Sequence, residues 1–97
     1  WGTAGGAYSN FALKTTNYTA SAKDQLICNH ASTPFTITLP ASPTAMDTIV
    51  ISNQGAATVT VGRNGSNINS LAQNATLVGG SSAQLTYVDA TIGWGEL

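Results

Sequence analysis

VTVGRNGSNI, residues 59–68, is the stretch on which the reading of this chain turns. Val59 and Val61 alternate with Thr60 and Gly62, the period of a half-buried strand. Asn64-Gly65 comes next, and a two-residue type I′ turn needs φ > 0 at both central positions, which Asn and Gly tolerate. A hairpin centred there sets Arg63 opposite Ser66 and Val61 opposite Ile68. Two large apolar residues then face each other, so the register is self-consistent. On that register Arg63, the only arginine, shares a face with Val59 and Val61 and points to the core side at the rim, unless Gly62 is a bulge that turns it outward.

Strand signals continue on both sides. FALKTTNYTA (11–20) is rich in aromatic and β-branched residues, and QLICNH (25–30) is a short strand. FTITL (35–39) alternates with Phe35, Ile37 and Leu39 on one face, and Pro34 and Pro40 bracket it. TIVISN (48–53) and ATVTVGR (57–63) come next, then SNINS (66–70) as a weak return strand. ATLV (75–78), AQLTYVDA (83–90) and a short closing IGWGEL (92–97) complete the series. No segment of helical length carries a 3.6-residue apolar period; 39–47 is expected to form a turn, with Pro43 breaking anything longer. The expected fold is all-β: a compact antiparallel sandwich or prism-like domain of about eight short strands.

Composition narrows the possibilities. The 97 residues suit one domain, with WGTAGGAYSN (1–10) reading as a Gly-rich linker and 11–97 as the β-rich domain. The first residue is Trp1, not Met, as expected of a piece of a longer protein. Alanine supplies much of the 42% hydrophobic content, so the core is thin. Small thin-cored chains need disulfides, metals or oligomerisation. Cys28 is the only cysteine and His30 the only histidine, which excludes an intrachain disulfide and leaves a zinc site unsupported. Oligomerisation remains. A net charge of −1 provides no basic stripe for nucleic acid, and Ile49-Val50-Ile51, the longest aliphatic run, is far short of a membrane span. The unpaired cysteine suits folding in a reducing cytosol. Asn-x-Ser/Thr triplets at Asn17, Asn64 and Asn74 are what chance produces in so Asn-, Ser- and Thr-rich a chain.

Reactive constellations are weak. Cys28 and His30 lie two apart on one expected strand face, with no neighbour to orient a base, so Cys28 reads as a small buried hydrophobe. Asp24, Asp47, Asp89 and Glu96 are scattered through turns, where Asp is ordinarily a cap. A threefold axis would turn His30 or one Asp into three ligands, the one route to a bound ion. No catalytic residue and no cofactor are therefore assigned. Aromatic faces with amide and hydroxyl donors are the ingredients of a carbohydrate site. Phe35, Tyr87 and Trp94 read as framework, whereas Trp1, Tyr8 and Tyr18 are less constrained.

Taken in order, Asp24-Gln-Leu-Ile-Cys, FTITLP, TIVISN, VTVGRNGSNI and LTYVDATIGWGEL resemble the C-terminal domains of tailed-bacteriophage tail fibres. The resemblance spans about residues 14–97 and rests on the order and spacing of motifs that are each weak alone. It implies a homotrimer at the distal end of a fibre, made in the host cytoplasm and carried on the virion. Residues 1–10 would lead in from the shaft. The tip would attach to host polysaccharide or lipopolysaccharide, without nucleic-acid binding or membrane insertion. Tyr8, Tyr18, Asn64 and Asn67 are the candidate receptor contacts. Arg63, Tyr87 and Trp94 are the candidate framework and trimer-interface residues, with Arg63 paired to an acid such as Asp89 or Glu96 of another chain. The alternative is a domain that trimerises or caps the fibre, with the receptor bound elsewhere. The His-x-His metal repeats of some fibre tips are absent here.

Overall fold

A computed structural model describes residues 10–97; the candidate contact Tyr8 and nearly all of the proposed linker lie outside the described residues. The described chain has nine strands and no helix: β1 (Ala12–Lys14), β2 (Tyr18–Thr19), β3 (Gln25–Cys28), β4 (Phe35–Thr38), β5 (Thr48–Asn53), β6 (Val59–Gly62), β7 (Ala75–Leu77), β8 (Ser82–Asp89) and β9 (Gly93–Glu96). They form two sheets, one of five strands in the order β1-β3-β5-β8-β9 and one of four in the order β2-β4-β6-β7.

The fold is all-β, but the expected antiparallel pattern is replaced by a mixed one. Through β6 the chain alternates between sheets, and each strand pairs in parallel with the strand two places earlier. A parallel pair needs a crossover, usually a helix. Here the crossover is itself a strand of the opposite sheet, so the chain winds in flattened coils. After β6 the winding reverses: β7 runs antiparallel to β6, β8 antiparallel to β5, and β9 antiparallel to β8. Alternation along a strand identifies its buried face but says nothing of its partner's direction, which is why the antiparallel expectation failed.

The core lies between the sheets; β4 and β6 alternate as expected, and β3 and β5 alternate as well. Leu26 and Cys28, Phe35 and Ile37, Ile49 and Ile51, and Val59 and Val61 all point inward and are buried, with Leu39, Leu77, Leu85 and Trp94 completing the core. The coils stack closely at their turns. A Cβ on Gly55 would lie 2.5 Å from the backbone nitrogen of His30, so no larger residue fits beside the preceding coil.

Among the described residues Asn53 is the one buried polar side chain, with 0% exposure. Its amide donates to the carbonyls of Ala57 and Leu77, both at 2.8 Å, and its Oδ1 accepts from Gly55 N at 3.1 Å. One side chain thus satisfies three backbone groups where the third coil turns against β7, and burial without partners would be costly.

The hairpin expected across 59–68 does not form. Asn64 and Gly65 do have positive φ, 49° and 88°, and Ser66 N donates to Arg63 O at 3.1 Å, so the turn is real. Val61, however, pairs with Ala75 on β7 rather than with Ile68. Residues 67–71 instead lie beside β9: Trp94 N donates to Asn67 O and Asn69 N to Trp94 O, both at 2.8 Å. Ile68 and Leu71 bond to each other around a second tight turn at Asn69-Ser70, φ 50° and 66°. Burying Ile68 against Trp94 outweighs extending the local hairpin. Gly93 permits this docking: its φ is 72°, and a Cβ there would lie 2.0 Å from Asn67 O.

Candidate functional site

Parallel stacking brings the β1–β2 loop beside the β3–β4 loop. Thr15, Thr16 and Asn17 from the first, with His30, Thr33 and Pro34 from the second and Phe35 at the start of β4, line an open cleft of about 290 Å³. That is near the lower end of small-ligand sites. Its polar groups are oriented by their own backbone. Asn17 Oδ1 accepts from Thr36 N at 2.8 Å, which fixes the amide and leaves its NH₂ available to donate. His30 Nδ1 accepts from Ser32 N at 3.2 Å and Thr33 N at 3.0 Å, so the neutral ring carries its proton on Nε2 and presents a donor there. Three threonine hydroxyls and the edges of Pro34 and Phe35 complete the lining. None of its side chains carries a fixed charge.

His30 and Cys28 are therefore not partners on one strand face, as the sequence suggested. β3 ends at Cys28, and His30 belongs to the next loop. Cys28 is fully buried on the inner face, and burial pushes its thiol up to about 11. Among the described residues no group of three or more His, Cys, Asp and Glu could hold a metal ion.

The other candidate residues have structural partners. Tyr18 is half-buried on the inner face: its hydroxyl donates to Asp24 Oδ2 at 3.0 Å, and Lys14 Nζ sits 3.7 Å from its ring centroid. The hydrogen bond to Asp24, followed by burial and the carboxylate's charge, raises the Tyr18 pKa. Asn64 donates to Leu39 O at 2.9 Å, and Asn67 donates to Thr91 O at 2.9 Å. Arg63 Nη1 reaches Ser66 O at 3.1 Å, across its own turn, while Arg63 N donates to Asn74 Oδ1 at 3.0 Å. Trp94 is fully buried within its own chain and meets Tyr87 edge to face at 5.6 Å. Its Nε1 has no hydrogen-bond partner among the described residues.

The cleft residues escaped sequence reasoning because no local pattern marks them. One signal was available. Ser21-Ala-Lys-Asp24 and Thr44-Ala-Met-Asp47 each precede a strand of the five-stranded sheet, and Phe35-Thr-Ile and Val59-Thr-Val each come after one. A repeat of this kind marks stacked coils and places equivalent loops side by side.

Neither the protein-family models nor the curated proteins contain a match to this chain. Among solved structures, the fold is similar to a chain of one described as "Structure of a chaperone-substrate complex". The TM-score is 0.52 at 15% identity, over 90% of this chain and 13% of that one. The likeness is one of fold alone, and this chain spans about an eighth of the other's length.

Proposed function

We propose that this chain is the distal module of a tailed-bacteriophage tail fibre, a homotrimeric, non-catalytic domain that attaches the virion to host cell-surface polysaccharide or lipopolysaccharide. The observation that carries this reading is the difference between the two ends of the coil stack. At β1 and β2 the parallel edges follow the winding and are suited to continue from preceding coils. At the other end, β7 and the β8–β9 pair run antiparallel to their neighbours, so the parallel winding stops there. A unit whose parallel winding is extendable on one side and stops on the other suits the end of an elongated assembly.

The outer face of the five-stranded sheet suits subunit contact. Leu13, 62% exposed, is the register partner of the half-buried Ile27, whose own partner on β5 is Ser52; Val50, on the same face of β5, is the partner of Gln25. Joining three such faces would add apolar burial to a thin core. The cleft of Asn17 and His30 would then supply one uncharged, donor-rich site per subunit, and three weak sites per tip raise avidity by orders of magnitude.

The test is competition. Saturating purified domain should block adsorption of virions carrying this chain; unchanged adsorption would sink the reading. The end where the winding stops equally favours a second role, as a domain that caps or trimerises the fibre with the receptor bound elsewhere. In that case removing residues 11–97 would abolish fibre assembly, whereas under the attachment reading trimeric fibres that no longer adsorb would remain.

A further inference from the structure

The outer face of the four-stranded sheet is a threonine array. Thr36, Thr60 and Thr76 are register partners on β4, β6 and β7, and Thr19 is the partner of Thr38 on β2 and β4. All face away from the core, because the residues that alternate with them, Ile37, Val59, Val61 and Leu77, are buried. Neighbouring hydroxyl-methyl pairs therefore repeat at about 4.8 Å across the strands and about 6.7 Å along them. Gly62 lets the side chains of Thr36 and Thr38 pack over it: a Cβ there would lie 3.3 Å from Thr36 Cγ2 and 3.4 Å from Thr38 Oγ1. No Asp, Glu, Lys or Arg occurs in β2, β4, β6 or β7. The cleft adjoins the array where Asn17 Oδ1 holds Thr36 N, so the two form one continuous surface.

We infer that this array and the adjoining cleft together bind an uncharged polysaccharide laid across the strands. The inference rests on the attachment reading above and assigns its surface and ligand class. Each threonine offers a hydroxyl that donates and accepts beside a methyl, matching the hydroxyls and C–H faces of a sugar ring. The side chains are β-branched and held on a sheet, so little rotamer freedom is lost when a ligand lands on them. An acidic polymer would find no countercharge on this face. A neutral chain keeps its hydroxyls hydrogen-bonded and gains many small contacts whose sum is large.

The experiment measures binding of the intact domain to immobilised neutral polymers (dextran, mannan, galactan) and acidic ones (alginate, polygalacturonate). Wild-type domain should bind at least one neutral polymer. Thr36→Lys with Thr60→Lys should weaken that binding by at least about tenfold. Ser82→Lys, on the outer face of the other sheet, should leave it unchanged. The near-isosteric pair Thr36→Val with Thr60→Val removes only hydroxyls and should weaken it about three- to tenfold. That pair keeps the test valid if the lysine pair fails to fold. Binding confined to acidic polymers, binding to no polymer of either kind, or threonine variants that bind as wild type does would each overturn the inference. Virion competition with the same proteins separates the two proposals. If wild-type and threonine-variant domains block adsorption equally, attachment stands and the array falls. If neutral-polymer binding depends on Thr60 but adsorption is not blocked, the reverse holds.

Discussion

Asp24 and Asp47 occupy the same place on successive coils. Asp24 Oδ2 accepts from Ser21 N at 2.8 Å while Asp24 N donates to Ser21 O at 3.1 Å; Asp47 Oδ2 accepts from Thr44 N at 2.8 Å while Asp47 N donates to Thr44 O at 3.0 Å. The third residue of each turn has positive φ, 71° at Lys23 and 74° at Met46. Each carboxylate closes the turn that delivers the chain into the five-stranded sheet. Asp47→Ala should lower stability by about 1 kcal/mol, since its bond is exposed. Urea unfolding checks this as a lower midpoint at unchanged m.

Asn53→Ala should be far more costly. It strands the carbonyls of Ala57 and Leu77 and the N–H of Gly55, each losing its side-chain partner in a buried setting. At about 1–3 kcal/mol for a stranded buried group, the expected loss is about 3–5 kcal/mol. Asn53→Asp should not rescue it, because a carboxylate cannot donate to two carbonyls. A stability near that of wild type in either variant would contradict the role given to Asn53.

Gly93→Ala tests the docking of 67–71 on β9. The positive φ and the contact with Asn67 O leave no room for a methyl group, so the loop must shift away from Trp94. The expected loss is about 2–4 kcal/mol. The near-ultraviolet circular dichroism of the Tyr87–Trp94 pair should change with it, even below the temperature of global unfolding.

Alkaline pH should destabilise the fold, and two groups set the sign. The Cys28 thiol rises from an ordinary value of 9.0 to about 11, and Tyr18 is also raised, by its bond to Asp24. Both are neutral when protonated, so the folded state holds these protons more tightly than the unfolded chain does. The Cys28 contribution is intact below pH 9 and is lost as pH climbs toward 11; that of Tyr18 is intact below its ordinary value of 10.0 and is lost above it. Thermal melts across pH 7–11 should show the midpoint falling only above about pH 9. In the native state at pH 8, Cys28 should resist a thiol reagent that labels it readily in denaturant.

Much of the fold was legible, and the misses share a cause. β5 begins and ends where its sequence pattern does, and the inward faces of β4 and β6 come from alternation alone. Alternation is a property of one strand, whereas pairing direction belongs to two. Asn64-Gly65 marked a turn correctly, yet the path of the chain beyond a turn is settled by distant burial, here Ile68 against Trp94. The cleft was hidden for the same reason: Asn17 and His30 are neighbours only because β1 stacks on β3 and β2 on β4. Asn64 and Asn67 looked like free amides on a polar chain, and their carbonyl partners at Leu39 and Thr91 lie 25 and 24 residues away.

The strand order has a mechanical consequence. β1 and β9 are the opposite edges of one sheet, so the described chain enters at one margin and leaves at the other. β9 runs in the same direction as β1, so a load between those ends acts diagonally, partly across the strands and partly along them. The component across the strands parts backbone bonds in succession, like a zipper, while the component along them is resisted in shear. The first to yield is the three-residue β1, held to its sheet by β3 alone among the described strands. Tension would therefore peel the outermost coil while Asn53 and the β5–β8 pair, deeper in the sheet, stay closed.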